Sequence, residues 1–345
     1  MHLQVAIIYN QPGISRYTSI GEGKAVAGVL DEVDEVHRVL KGGGYLVSLV
    51  PLAPPLVGVT ERLRALDVDI VFNLFEGFPE CPGSEGIVAR MLSDMGFIFT
   101  GCNSRALSLC LDKVRTKAVL DLAGIETPAY QVLDHGNLSS FSLDFPCIVK
   151  PCAEDASHGI SPQSVVRDYR GLVGQVEWVA EHYGGRALVE EFIDGREYNI
   201  TVMGTDRPVV FPVSEIVFSR RDGVPGILTY DAKWESASDD FNGSKVVCPA
   251  DIDVHVLERI KRIALSAFKT TGCTGYARVD FRMDNQGRLM VIDVNPNPDI
   301  AHDSGAAIQA RNAGLTYIQF IEKIITLAFQ QNERQPIYQG NYERV

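Results

Sequence analysis

Apolar and polar positions change their period several times along the chain, and each change marks an element. LQVAIIYN (Leu3–Asn10) is an apolar run ending in a polar loop, which predicts a buried strand. From Ala25 to Leu40 the apolar residues Val26, Val29, Val33, Val36 and Leu40 recur at helical spacing, and Gly42, Gly43 and Gly44 stop the helix. A phosphate loop follows a strand and opens a helix, whereas this glycine triplet does the reverse, so it reads as a stop and a turn. Strands are predicted at Tyr45–Val50, Asp69–Leu74 and Phe97–Thr100. Such alternation predicts an open parallel sheet with ligands beyond the carboxyl ends of its strands. That draws notice to Asn73, Glu76 and the loop through Glu85.

One long helix is expected from Ser104 to Ala123, closed by Gly124 with Pro128 just beyond. Strands follow at Cys147–Lys150 and Ala187–Phe192, with a polar loop at Glu154–Gly159 between them. The last third is strand-rich (Tyr198–Met203, Val209–Val217), then holds a helix (Asp253–Thr270), a hairpin and a final amphipathic helix (Leu315–Phe329). The tail from Gln330 is polar and expected to be loose.

At 345 residues the chain is long enough for two or three domains. Its formal charge of −12 disfavours non-specific binding to nucleic acid or to an anionic membrane. No apolar run approaches the roughly 18 residues of a membrane helix, and the first strand lacks the basic flank of a signal peptide. The seven cysteines form no CxxC pair, so reduced thiols and a cytoplasmic location are expected.

The most informative stretch is ARVDFRMDNQGRLMVIDVNPNP, from Ala277 to Pro298. Two alternating strands flank a loop at Asp284–Gly287. Arg278, Asp280 and Arg282 share one face. With a four-residue loop, Met283 opposes Arg288 and Arg278 opposes Asp293, which leaves Asp280 and Asp293 as diagonal neighbours. Asn295 extends that face. Two carboxylates and an amide suit Mg²⁺, whose remaining ligands are phosphate and water; equally, Arg278 pairs with Asp293 on a solvated face. Lys113, Lys150 and Lys233, with Arg278, would offset a triphosphate. In VEEFIDGREYN, Glu190, Glu191 and Glu197 surround a turn, and a carboxylate there suits ribose hydroxyls; a solvated acidic rim is the plainer account, for Glu191 above all. No Walker A, GxGxxG, HExxH or GxSxG pattern stands in a fitting context.

These residues, in this order, resemble the ATP-grasp superfamily, and most of all its D-alanine–D-alanine ligase branch. The matching motifs are VFNLFEG, SEGIVARMLSDMGFIFTG, ALSLCLDKVRTKAVLDLAGIETP, FPCIVKP, ALVEEFIDGREYN, LTYDAKW, GCTGYARVDFRMD and VIDVNPNPD, spread over roughly residues 65 to 330. The resemblance implies an α/β protein of three domains: an N-terminal open parallel sheet (1–101), a central lobe with a phosphate-covering lid loop (102–190) and a C-terminal lobe with the metal site (191–330), ahead of a polar tail (331–345). It implies that Lys113 and Lys150 contact ATP phosphates, Glu190 and the segment after it, Glu191 included, meet adenine, and Glu197 meets ribose. Lys233 would approach the γ-phosphate, Arg278 would stabilise the oxyanion, and Asp280, Asp293 and Asn295 would hold Mg²⁺ or Mn²⁺. Ser157 lies in the lid, and Ser304 stands where the family binds the second substrate's carboxylate. The implied reaction is ADP-forming: a carboxylate takes the γ-phosphoryl group, and an amine then displaces phosphate to leave an amide. Amino-acid or peptide substrates, no nucleic acid, no membrane and a homodimer are compatible with it.

The departures concern substrate more than reaction. The family's Gly-Gly-x-Ser-x-Glu turn after the first strand is replaced by YNQPGISRYTSIGEG, and Glu22 is misplaced for its glutamate. Glu76 replaces a histidine, and Trp234 replaces a tyrosine and lacks its phenol oxygen. The lid reads CAEDASHGI, with Glu154, Asp155 and His158 added. Asp293 is shorter than the usual glutamate by about 1.5 Å. The favoured expectation is therefore an amino-acid ligase whose first substrate differs from D-alanine, with Glu76, Glu85 and Glu154 forming an acidic pocket. The alternatives are a true D-alanine–D-alanine ligase and a degenerate ATP-binding regulator.

Overall fold

The computed structural model describes residues 3–219 and 223–332. The N-terminal part runs β1 (Gln4–Asn10), α1 (Arg16–Ser19), α2 (Gly23–Gly42), β2 (Leu46–Leu52), α3 (Leu56–Arg64), β3 (Ile70–Leu74) and α4 (Ser84–Asp94). Its strands are parallel in the order β2-β1-β3, so that Ala6 pairs with Ser48 on one side and Val71 on the other. β1 is central and covered on both faces, which is why Val5–Ile8 is continuously apolar instead of alternating. α2 ends on the glycine triplet as expected, with Gly44 at φ +87°. The strand expected at Phe97–Thr100 is reduced to a single bridge from Phe99 to Val71. Left-handed turns at Gly96 and Gly101 bracket it and leave too little chain to extend the ladder.

The helix expected from Ser104 to Ala123 is two helices, α5 (Ser104–Leu111) and α6 (Lys113–Leu122). Asp112 separates them with an extended backbone, and its carboxylate accepts from the Arg115 amide at 3.0 Å. Aspartate is a poor helix interior residue and a good N-cap, so the chain restarts there. The Lys113 amide is freed to donate to the Cys152 carbonyl at 3.1 Å, tying α6 to the start of the lid loop. An antiparallel sheet follows in the order β4 (Tyr130–Leu133), β7 (Ala187–Glu191), β5 (Cys147–Pro151), β6 (Val165–Val166), backed by α7 (Tyr169–Tyr183) through Leu172, Val176 and Val179.

The remaining elements are β8 (Gly195–Gly204), β9 (Val209–Val210), β10 (Ser214–Phe218), α8 (Tyr230–Trp234), α9 (Asp239–Asn242), β11 (Ser244–Val247), α10 (Val254–Thr270), β12 (Gly275–Asp284), β13 (Leu289–Asn295), α11 (Gly305–Asn312) and α12 (Tyr317–Asn332). The sheet order is β11-β10-β8-β12-β13, with β9 beside β8. β9 and β10 were expected as one strand. Pro212 lies in the gap between them and has no amide to give a ladder. Gln330–Asn332 are helical, so the expected loose tail does not begin there, and the rest of it lies outside the described residues. One core cluster joins Val5 and Phe72 of the parallel sheet to Met203 and Tyr276 of the large sheet and to Phe320 of α12. The parallel sheet and the large sheet thus pack around a shared core.

Candidate functional site

The β12–β13 hairpin carries the densest array of charge. Asp280 pairs directly with Asp293, and Arg278 pairs with Asn295. The ladder slips between Asp280 and Phe281, where Ile292 is taken up as an extra residue, and Met283 faces Leu289. This corrects the register inferred from a regular hairpin. The bulge brings the two aspartates face to face instead of diagonal. Like charges directly opposite destabilise a sheet, and each aspartate has a cation. Arg278 holds Asp280 through two bonds of 2.7 and 2.8 Å, and Lys113 from α6 reaches Asp293 at 2.7 Å. The expected alternative pairing of Arg278 with Asp293 is not the one formed. Asn295 donates to Asp280 at 2.9 Å, which leaves its amide oxygen as a ligand. The set offers hard oxygens, two carboxylates and an amide, and so fits Mg²⁺ with phosphate and water completing the shell. Among the described residues no group of three His, Cys, Asp or Glu could hold a metal.

Burial opposes the charge on Lys113, but Asp293 and Asp155 outweigh it and hold its pKa above the ordinary lysine value. Its bond to Asp155, at 3.2 Å, draws the lid loop over the hairpin. A cleft bounded by Lys113, Lys117, Glu190 and Asp293 lies between α6 and β13. Glu190 is buried there between Lys117 at 2.7 Å and Lys150 at 2.6 Å. Burial alone would raise its pKa; the two lysines reverse this and bring it to about 2. Lys117 was not singled out in the sequence, although its i+4 spacing from Lys113 was the available signal. Glu191 is half-buried and meets Arg288 at 2.8 Å. Glu197 is buried and paired with Arg282, which also donates to the Ile193 and Gly226 carbonyls.

The lid loop between β5 and β6 is closed against the segment after β1. Arg16 and Tyr17 both bond Glu154, and Tyr17 stacks on His158 with centroids 3.9 Å apart. Glu22 accepts from the Gly159 amide at 3.1 Å and the Tyr183 hydroxyl at 2.6 Å, and lies 2.7 Å from His158 Nδ1. Glu154 is therefore consumed by this seal, which corrects its expected place in an acidic pocket. Ala156 and Ser157 both have left-handed backbones, at φ 55° and 62°. The Ala156 carbonyl accepts from Trp234 Nε1 at 3.0 Å. The Trp234 ring lies over Gly28 of α2, where an added Cβ would stand 2.5 Å from Cζ3. Lys233 sits 4.9 Å above the same ring. Burial first, and Arg278 second, push its pKa down. Ser304 caps α11: its oxygen accepts from Ala307, leaving its hydroxyl proton to give.

Glu76, in the loop after β3, is exposed at its surface, yet desolvation by the surrounding protein pushes it up to about 7. Glu85, at the start of α4, is pushed up to about 8 by burial and by Asp155. Glu32 of α2 and Asp299 act on the same space and were not singled out in the sequence.

Residues 119–326 match the family model described as "D-ala D-ala ligase C-terminus". The chain is 28% identical to D-alanine–D-alanine ligase of Pelotomaculum thermopropionicum, over 96% of this chain and 98% of that protein. It is 31% identical to the uncharacterized protein y4sG of Sinorhizobium fredii, over 86% of this chain and 87% of that protein. The crystal structure of D-alanine–D-alanine ligase from Bacillus anthracis complexed with ATP shares the fold, with a TM-score of 0.72, 22% identity, and coverage of 96% of this chain and 99% of that one. With a family model covering more than half of the chain, relatives matched along nearly all of it and a shared fold, the chain belongs to the D-alanine–D-alanine ligase family of ATP-grasp enzymes, which form carbon–nitrogen bonds.

Proposed function

We propose that this chain joins D-alanine to D-alanine with ATP and Mg²⁺, releasing ADP and phosphate. The names borne by its relatives support the substrate. The observation that carries the chemistry is the hairpin array of Arg278, Asp280, Asp293 and Asn295, approached by Lys113 and Lys233. Lys113 and Lys150 would bind ATP phosphates, Glu190 and Glu191 would line the adenine side and Glu197 would take the ribose hydroxyls. Asp280, Asp293 and Asn295 would hold Mg²⁺, which neutralises charge on the transferring phosphoryl group. A substrate carboxylate oxygen forms a bond to the γ-phosphorus as the bond to ADP breaks. The amine of the second substrate then attacks the acyl carbon and phosphate leaves. Lys233 would stabilise the first transfer and Arg278 the tetrahedral oxyanion. Ser304 would donate to the second carboxylate, while the lid around Ser157 excludes water from the acyl phosphate.

A second reading, in which the first substrate is not D-alanine, rests on Glu22 being used up by the lid and on Glu76 and Trp234 at the pocket. Against the regulatory alternative, Lys113, Lys150, Lys233, Arg278, Asp280 and Asn295 all remain, although a degenerate site would be expected to lose some of them. ADP release across a matrix of amino-acid pairs of both hands, with mass spectrometry of products, decides among them. Turnover with D-alanine alone supports the first reading, and turnover confined to other pairs supports the second. ATP binding without turnover in any pair overturns both.

A further inference from the structure

The strand beside the charged hairpin carries polar groups that the chemistry described so far does not use. β8 runs antiparallel to β12, with Asn199 directly opposite Asp280 and Thr201 directly opposite Arg278. Paired residues share a face of the sheet, so Asn199 and Thr201 stand on the face that bears the charged array. The other face of β8, with Tyr198, Ile200 and Val202, is apolar and packs with Ile260 and Phe268 of α10. Asn199 is only 5% exposed and Thr201 is fully buried, because α11 packs on β8 at this point.

Gln309 of α11 is fully buried and ties these residues together. Its Oε1 accepts from the Thr201 amide at 2.7 Å. A backbone N–H can only donate, so this bond fixes which end of the Gln309 side chain is oxygen. Its Nε2 then lies 2.7 Å from Asn199 Oδ1 and 3.0 Å from Ser214 Oγ of β10. Asn199 is fixed in turn: Gln309 takes its oxygen, and its Nδ2 is left as a donor. Among the described residues Nδ2 has no acceptor. An amide so deeply buried is costly to leave unpaired, which points to an acceptor that arrives with a ligand. α11 begins beside it. A Cβ on Gly305 would stand 3.7 Å from Asn199 Oδ1 and would meet nothing else. The Gly305 and Ala306 amides, in the first turn of α11, also have no acceptor among the described residues. Unpaired first-turn amides and a side-chain donor beside them suit an anion with two oxygens.

We infer that Asn199 Nδ2 donates to the carboxylate of the second amino acid, and that Gln309 is the positioning residue that holds Asn199 in this orientation. The inference rests on the ligase reading, which gives that carboxylate to Ser304. It adds a donor from β8 and the relay from Thr201 through Gln309 that aims it. The relay makes the subsite one of donors only, so it favours acceptors with a free carboxylate. An acceptor whose carboxylate is replaced by a carboxamide offers one oxygen and turns an N–H group toward N–H groups.

The test uses the full chain with Mg²⁺, ATP and D-alanine, with and without hydroxylamine. Hydroxylamine is an amine without a carboxylate: its nitrogen bonds to the acyl carbon, phosphate leaves, and a hydroxamate forms in place of the dipeptide. Asn199→Ala should lower the ratio of dipeptide to hydroxamate about tenfold or more, through the KM of the second D-alanine more than through kcat. Gln309→Glu keeps the acceptor for the Thr201 amide but sets an oxygen against Asn199 Oδ1. It should lower the ratio several-fold, and the double variant should be no worse than Asn199→Ala alone. A second measurement needs no turnover. In a nitrogen–proton correlation spectrum of the chain with Mg²⁺ and a non-hydrolysable ATP analogue, the Asn199 side-chain pair is the one lost in Asn199→Ala. D-Alanine should shift it, and D-alaninamide should not. An unchanged product ratio in Asn199→Ala, or a side-chain pair that D-alanine leaves in place or that D-alaninamide moves equally, overturns the inference. Failure of the unaltered chain to make either product removes the D-alanine ligase reading instead, and the spectral shift then decides the role of Asn199 by itself.

Discussion

Asp280 is held by Arg278 and Asn295 and faces Asp293, so one atom change there alters charge without opening a cavity. Asp280→Asn is expected to lower Mg²⁺-dependent ADP release about 100-fold or more while the melting temperature moves by only a few degrees, a split that paired kinetic and thermal measurements resolve. Gly28 belongs to the same scale. Alanine there would drive a Cβ into the Trp234 ring, and overpacking of this kind costs about 1–3 kcal/mol. The chain has two tryptophans, so a Trp178→Phe background leaves Trp234 as sole emitter. Gly28→Ala should then shift its emission toward that of a hydrated indole. Glu190 sets an acid limit. Its folded pKa of about 2 lies below the ordinary 4.5, so its stabilisation is complete above pH 4.5 and is lost as pH falls toward 2. Glu190→Gln should flatten that acid slope in thermal unfolding. Most of these side chains were legible because each stands in a strand end or motif of its own. Glu32 was not, since the Ile300 amide it accepts from lies 268 positions away and only folding brings the two together, and Lys117 offered no more than its spacing from Lys113.

Among the elements, the lid is the one under tension. Ala156 pays the left-handed penalty of roughly 1 kcal/mol, and glycine would not. Ala156→Gly should raise stability by about that amount while loosening the loop that Trp234 grips. Glu22→Gln should weaken the hold on His158, Gly159 and Tyr183, admit water, and raise the ratio of ADP to amide product as acyl phosphate is hydrolysed. The β12–β13 bulge and the break at Asp112 are likewise local departures from regular elements. Periodicity located many of the strands and helices because burial dictates it, but it overextended the strand at 97–100 and ran together the strands on either side of Pro212. It passed over both irregularities because one extra residue or one cap leaves the average pattern almost unchanged, yet each aims a charged side chain into the cleft.

At the scale of the whole molecule, the acidic cleft opposes the general gain of stability with pH. Burial raises Glu76 to about 7 and Glu85 to about 8, where Glu76 faces Lys233, Asp299, Asp155 and Glu32, and Glu85 faces Asp155, Asn297 and Glu76. Their preference for the protonated form favours the folded state below pH 4.5, and that advantage is lost as pH rises through 7 to 8. Glu85→Gln should flatten the fall in melting temperature over that interval. The seal between the segment after β1 and the lid also has a consequence in time. Whatever is made beneath it leaves only after Arg16, Tyr17 and Glu22 let go of the loop, so departure and not bond formation would govern the steady pace. Rapid-quench mixing should then show a first burst of ADP close to one per protein molecule, followed by a slower line.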